Sequence, residues 1–121
     1  MTRKDTGLRG ERLAQDFLRK RGYRIRETNY RSPEGEMDII AQKGDCLVFV
    51  EVRTKSTRDF GTPEESITRS KQQRLRTVAA HYRQSHENLP PQWRIDVLAI
   101  ELGAQGKPVR LELIENAVGG D

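Results

Sequence analysis

Cysteine is almost absent from this 121-residue chain: Cys46 stands alone, so no intramolecular disulfide can form. A single thiol opening a hydrophobic strand reads as a small core residue in a reducing compartment. No apolar run approaches the ~18 residues that a membrane span needs. The start, Met1-Thr2-Arg3-Lys4, leads into charged sequence without the apolar region of a secretory signal. The expected location is therefore the cytoplasm, with no membrane partner. No Gly-rich phosphate loop is present, and no serine sits in a nucleophile-elbow context. His81 and His86 are five residues apart, which does not put them on one helix face as zinc ligands. Trp93 and Tyr82 fit a core better than a base-stacking platform. Internal repeats and low-complexity segments are also missing.

What is present is charge. Hydrophobic residues make up 34% of the chain and charged residues 33%, so the core must be small and much of the surface ionic. The length fits one domain, residues 1–121. The net charge of +4 is modest but uneven. Between Met1 and Arg31 ten basic residues face four acidic ones, and between Arg53 and Arg76 seven face three. A basic face of this kind attracts polyanions such as nucleic acid, although a solvated charged surface would read the same way.

Periodicity predicts an α/β order. A first helix is expected over Gly7–Arg21, capped by Asp5 or Thr6, with Leu13, Ala14, Phe17 and Leu18 as its apolar stripe and Gly22 as its stop. Tyr23–Asn29 alternates as a first strand, and Arg31–Gly35 is a turn. A second strand, Glu36–Gln42, and a third, Cys46–Thr54, flank Gly44-Asp45, a two-residue hairpin loop that pairs Lys43 with Cys46. Ser56–Gly61 is a polar connection. Thr62-Pro63-Glu64-Glu65 has the form of a capping box for a second helix reaching about Gln84, with Ile67, Leu75, Val78, Ala79 and Tyr82 buried. Trp93–Ile100 is a fourth strand and Val109–Ile114 a fifth, at an edge. The end, from about Asn116, is expected to be loose.

The hairpin carries the chemistry. Val48, Val50 and Val52 alternate with Leu47, Phe49, Glu51 and Arg53, so Glu51 interrupts an otherwise apolar face of a central strand. On the second strand Glu36, Asp38 and Ile40 share one face, and Met37, Ile39 and Ala41 the other. Counting along the ladder sets Asp38 opposite Glu51, and Glu36 opposite Arg53. Directly opposed carboxylates lie about 4.5–5.5 Å apart at Cβ and repel. A hard cation, Mg²⁺ or Mn²⁺, would neutralise them. The bland reading is that Glu36 and Glu51 form strand salt bridges with Arg53 or Lys55. Asp96 is a further strand carboxylate, either paired with neighbours of Arg94 or supporting the site from the fourth strand.

Four segments occur in order: Gly10-Glu11, Gly35-Glu36-Met37-Asp38-Ile39-Ile40, Phe49-Val50-Glu51-Val52-Arg53 and Ile67-Thr68-x-x-Lys71-Gln72. From about Gly7 to Ile100 the chain resembles the YraN family of bacterial proteins, placed in the restriction-endonuclease-like superfamily with the PD-(D/E)xK signature and similar to archaeal Holliday junction resolvases. The resemblance implies a mixed central β-sheet flanked by helices and metal-dependent phosphodiester cleavage. It makes Asp38 and Glu51 metal ligands and matches Glu11 to an additional acidic residue. The signature's lysine is replaced by Arg53, which cannot serve as a base at neutral pH but can bind phosphate and stabilise negative charge. Lys55, two residues on, and Lys71, from the second helix, are the other cations available.

Three functional classes follow. One is a Mg²⁺- or Mn²⁺-dependent endonuclease acting on branched or damaged DNA, with Asp38, Glu51, Glu11 and Arg53 at its centre. Another is a nucleic-acid-binding module of the same fold with little activity, and a purely structural partner of another DNA-processing protein is a third. The expected DNA-facing residues are Arg9, Arg12, Arg31, Arg53, Lys55, Arg58, Lys71 and Arg74, and a homodimer is left open.

Overall fold

The computed structural model describes residues 2–57 and 60–119. Arg58, one of the expected DNA-facing residues, lies outside them, as do the last two residues of the end expected to be loose. The elements run α1 (Arg3–Lys20), β1 (Arg24–Ser32), β2 (Gly35–Lys43), β3 (Cys46–Ser56), α2 (Arg69–Ser85), β4 (Gln92–Leu102) and β5 (Pro108–Val118). One five-stranded sheet has the order β1-β2-β3-β4-β5. All neighbours are antiparallel except β3 and β4, which are parallel because α2 carries the chain back across the sheet between them. The protein is thus a mixed α/β fold.

The helices cover opposite faces. Ala14 and Leu18 of α1 pack with Ile39, Ala41, Val48, Val50, Leu98 and Ile100. Leu75, Val78, Ala79 and Tyr82 of α2 pack with Met37, Ile40, Leu47, Phe49 and Ile95. β3 therefore has apolar side chains on both faces, as its unbroken hydrophobic run predicts for a central strand. No helix among the described residues is long and apolar enough to cross a membrane.

Several boundaries differ from expectation; β1 runs through Arg31 to Ser32, where a turn is expected. α1 starts a turn earlier, at a reciprocal cap: the Thr2 hydroxyl accepts the Asp5 N–H at 3.1 Å and the Asp5 carboxylate accepts the Thr2 N–H at 3.2 Å. The segment after Thr62 forms only a 3-10 turn, Glu64–Ser66, with Pro63 at its N-cap position. Ile67 then leaves helical geometry and Thr68 caps α2 afresh, its hydroxyl accepting from Lys71 N. Ile67 is accordingly half-buried rather than part of the helix core. Finally, β5 continues to Val118, which is 2% exposed, so the loose end does not begin at Asn116. The cause is Asp96, which is fully buried on β4 and takes the Asn116 N–H at 2.8 Å.

Candidate functional site

The hairpin register holds as counted from Lys43↔Cys46 to Ile39↔Val50 and then stops. The next pair would be Asp38 and Glu51. There the Asp38 carboxylate, rather than backbone, accepts the Val52 N–H at 2.8 Å. β2 and β3 fork at this point. The alternation of β2 breaks with it: Met37 packs on the α2 face with Ile40, not with Ile39 and Ala41 as strict pleating predicts. The expected Glu36–Arg53 pairing is absent for the same reason. Glu36 instead meets its β1 neighbour Arg31 at 3.1 Å, where both are well exposed.

The fork brings Asp38 and Glu51 together. Glu51 is only 7% exposed. Burial, then the charge of Asp38 and a proton shared with it, push the Glu51 carboxyl up to about 8, against the lowering pull of Arg53 and Lys71. At neutral pH the pair thus carries a proton that two separated carboxylates would have lost. This is a site that a cation would suit: its donors are hard oxygens, and a divalent ion relieves the repulsion that holds the proton in place.

Glu11 reaches the same cavity from α1. Its placement depends on Gly10, where an added Cβ would meet the Thr54 hydroxyl of β3 at 1.9 Å. Only a glycine lets the helix lie this close to the strand. Burial and the charge of Asp38 both raise the Glu11 pKa. Among the described residues, however, no three carboxylate, histidine or cysteine side chains converge as a ready-made metal cage. Asp38 and Glu51 form the pair, and Glu11 lines the cavity beside them.

Arg53 sits at the cavity wall with its Nη1 3.4 Å from Glu51 Oε2 and its Nε donating to Ser66 Oγ at 2.8 Å. The salt-bridge reading is therefore right for Glu51 with Arg53, and it coexists with the carboxylate pair. Ser66 was not legible as a site residue, because only the 3-10 turn places it there. That turn is fastened from the far edge of the sheet: Arg110 of β5 makes a two-pronged contact to Glu64, at 2.9 and 2.7 Å. The same guanidinium holds the Glu64 carboxyl down at about 2.

Of the expected DNA-facing residues, Arg53, Lys55, Lys71 and Arg74 line the cavity, joined by Arg3, which sequence reasoning did not single out. Arg74 lies along Gly35, whose φ of +147° and whose closeness to the Arg74 stem, 3.1 Å from a would-be Cβ, both call for glycine. Arg9 turns away to the Gly106 carbonyl, at 3.3 Å, Arg12 is exposed elsewhere on α1, and Arg31 is engaged with Glu36. Asp96 has a different job. Both its oxygens accept from Arg94 Nε at 3.0 Å, and Arg94 also donates to the Tyr23 hydroxyl at 2.8 Å. This network stitches β4 to β5 and to the start of β1, on the face opposite Glu51.

Fold and site together define an α/β protein with a carboxylate pair at a strand fork and a basic cavity around it. The chain belongs to the uncharacterised protein family UPF0102, the YraN family, which it matches over residues 10–100. It is 49% identical over 119 residues to a UPF0102 protein of Dehalococcoides mccartyi, covering 97% of this chain and 95% of that one. Similar UPF0102 proteins occur in Dictyoglomus thermophilum, 44% identical with 97% and 99% covered, and in Moorella thermoacetica, 45% identical with 97% and 98% covered.

Proposed function

We propose that this protein is a divalent-metal-dependent DNA endonuclease of the restriction-endonuclease-like class, akin to archaeal Holliday junction resolvases, acting in the cytoplasm on branched or damaged DNA. The observation that carries the reading is the contact of Asp38 with Glu51 in a cavity whose walls bear Arg53, Lys55, Lys71 and Arg74. Two carboxylates are a sufficient protein share for Mg²⁺ or Mn²⁺, which ordinarily keep waters and phosphate oxygens as their remaining ligands. When bound, such an ion supplies Lewis acidity at the scissile phosphate and lowers the pKa of its water. Glu11 adds negative charge beside the pair. Arg53, its guanidinium oriented by Ser66 and Glu51, offers a fixed fork of donors to phosphate and stabilises charge built up in the transition state. Lys71 and Lys55 hold neighbouring phosphates.

The test is incubation of the purified protein with branched, linear and single-stranded DNA, without metal and with Mg²⁺ or Mn²⁺. Metal-dependent cleavage that is lost in Asp38→Asn supports the reading, and no cleavage of any DNA with either metal overturns it. A second reading, a DNA-binding module of the same fold, rests on Arg53 standing where the signature has lysine. It predicts salt-sensitive DNA binding without cleavage.

A further inference from the structure

Phe60 is 96% exposed, whereas the chain's other two phenylalanines are half-buried or fully buried. A single exposed apolar residue is ordinary on a protein surface, so its position decides what it means. Its carbonyl accepts from Lys55 Nζ at 2.8 Å, and Lys55 lines the carboxylate cavity. The next residue, Gly61, has a φ of +79°, and a Cβ there would lie 3.1 Å from Glu65 Oε2 and 3.7 Å from Lys55 Nζ. The backbone that presents the ring is therefore seated against the rim, and the ring itself projects into solvent. Phe60 is thus tied through its backbone to Lys55, a cation of the cavity wall, although its ring is not part of the cavity lining.

We propose that Phe60 is a stacking surface for an unpaired nucleobase next to the phosphate engaged at the cavity, so that the preferred substrate is DNA with a single-stranded gap, flap or branch. The inference rests on the nuclease reading of the cavity and specifies its substrate. In a continuous duplex both faces of each base are covered by neighbouring pairs. An unpaired base offers a free π-face, which an aromatic side chain binds with little regard to sequence. The cationic wall supplies affinity for any DNA backbone, and Phe60 supplies the preference for an open one.

The experiment compares the protein with Phe60→Ala, Phe60→Leu and Phe60→Trp on a continuous duplex and on a gapped duplex carrying 2-aminopurine in the gap. Ca²⁺ replaces Mg²⁺ to hold cleavage. Binding is followed by anisotropy, stacking by the 2-aminopurine signal, and folding by thermal melts, which the substitutions of so exposed a side chain leave in place. Phe60→Ala should raise the dissociation constant on gapped DNA about tenfold more than on the continuous duplex. Phe60→Leu should behave like Phe60→Ala, while Phe60→Trp restores the preference and the 2-aminopurine response. An unchanged ratio in Phe60→Ala overturns the inference alone, provided the parent binds DNA. Full restoration by Phe60→Leu also overturns it, since it reveals a generic apolar contact such as protein docking. Failure of the parent to bind either DNA overturns the nuclease reading, and the stacking role falls with it.

Discussion

Asp38 Oδ2 accepts the Val52 N–H at 2.8 Å, and so the residue that ends the β2–β3 ladder is the one that faces Glu51. The same carboxylate serves structure and site. Asp38→Ala should leave the Val52 amide without its acceptor and cost about 1–3 kcal/mol in urea denaturation at pH 6. Asp38→Asn keeps an acceptor oxygen and should cost clearly less while still abolishing the carboxylate pair. Equal losses in the two variants would mean that the hydrogen bond does not hold the fork.

Metal-free protein should grow less stable as pH rises from about 4.5 to about 8. Glu51 has its folded-state pKa raised from 4.5 to about 8, so across that window the unfolded chain gives up this proton while the folded one keeps it. Glu51→Gln removes the effect and should flatten this limb of a pH–melting profile. Binding of Mn²⁺ displaces the proton, so the shift in Tm that the metal produces should grow with pH over the same range. A metal shift independent of pH would separate the cation from Glu51.

Arg53 is held from two sides, by Ser66 and by Glu51. Arg53→Ala should slow single-turnover cleavage by about two orders of magnitude, the scale of a lost charge-stabilising donor, with metal titrations nearly unchanged. Arg53→Lys should keep part of the rate, because charge survives without the fork. Ser66→Ala should fall between the parent and Arg53→Ala, since it frees the guanidinium without deleting it. If Arg53→Ala cleaves like the parent, Lys71 or Lys55 carries the role.

Gly10→Ala forces a Cβ to 1.9 Å from the Thr54 hydroxyl and 2.9 Å from its Cβ, so α1 must lift from β3. The expected loss is about 1–3 kcal/mol, typical of overpacking, readable in urea denaturation. Adding Thr54→Ala should recover part of it. Cleavage in Gly10→Ala should drop further than stability alone explains, because Glu11 moves with the helix. A neutral Gly10→Ala would show that the approach of helix to strand is not tight.

Most of the framework was readable from the chain because it rests on local periodicity. The Gly44-Asp45 loop sets the hairpin register, and the run Leu47–Val50 marks a central strand with cover on both sides. Counting set Asp38 in the neighbourhood of Glu51, but the ladder ends at Ile39 and Val50, and the two meet through side chains beyond it. What counting missed is the fork: pleating was extended through Met37 and Glu36, whereas a side chain replaces the ladder there. The split before α2 is hidden for a related reason, since Thr62 and Thr68 both look like caps in the sequence, while Arg110 on Glu64 and Ser66 on Arg53 tie down the segment between them. Contacts of that kind join residues far apart in sequence and leave no local periodicity to read. Positive charge in the sequence says nothing about direction: Arg53, Lys55, Lys71 and Arg74 line the cavity, whereas Arg9 turns to Gly106.

The grip of Arg110 on Glu64 has a bearing on how this protein can be handled. β5 contains Arg110, the 3-10 turn held by it contains Ser66, and Ser66 bonds to Arg53. The carboxyl-terminal strand is therefore an outrigger of the cavity, although it contributes no side chain to the cavity lining. A shortened chain ending after the fourth strand would keep every acidic residue of the centre and yet lose the brace that aims its guanidinium. Tags and fusion partners are better tolerated beyond Val118 than spliced into Pro108–Val118, and a homologue with a truncated last strand needs another means of steadying Arg53.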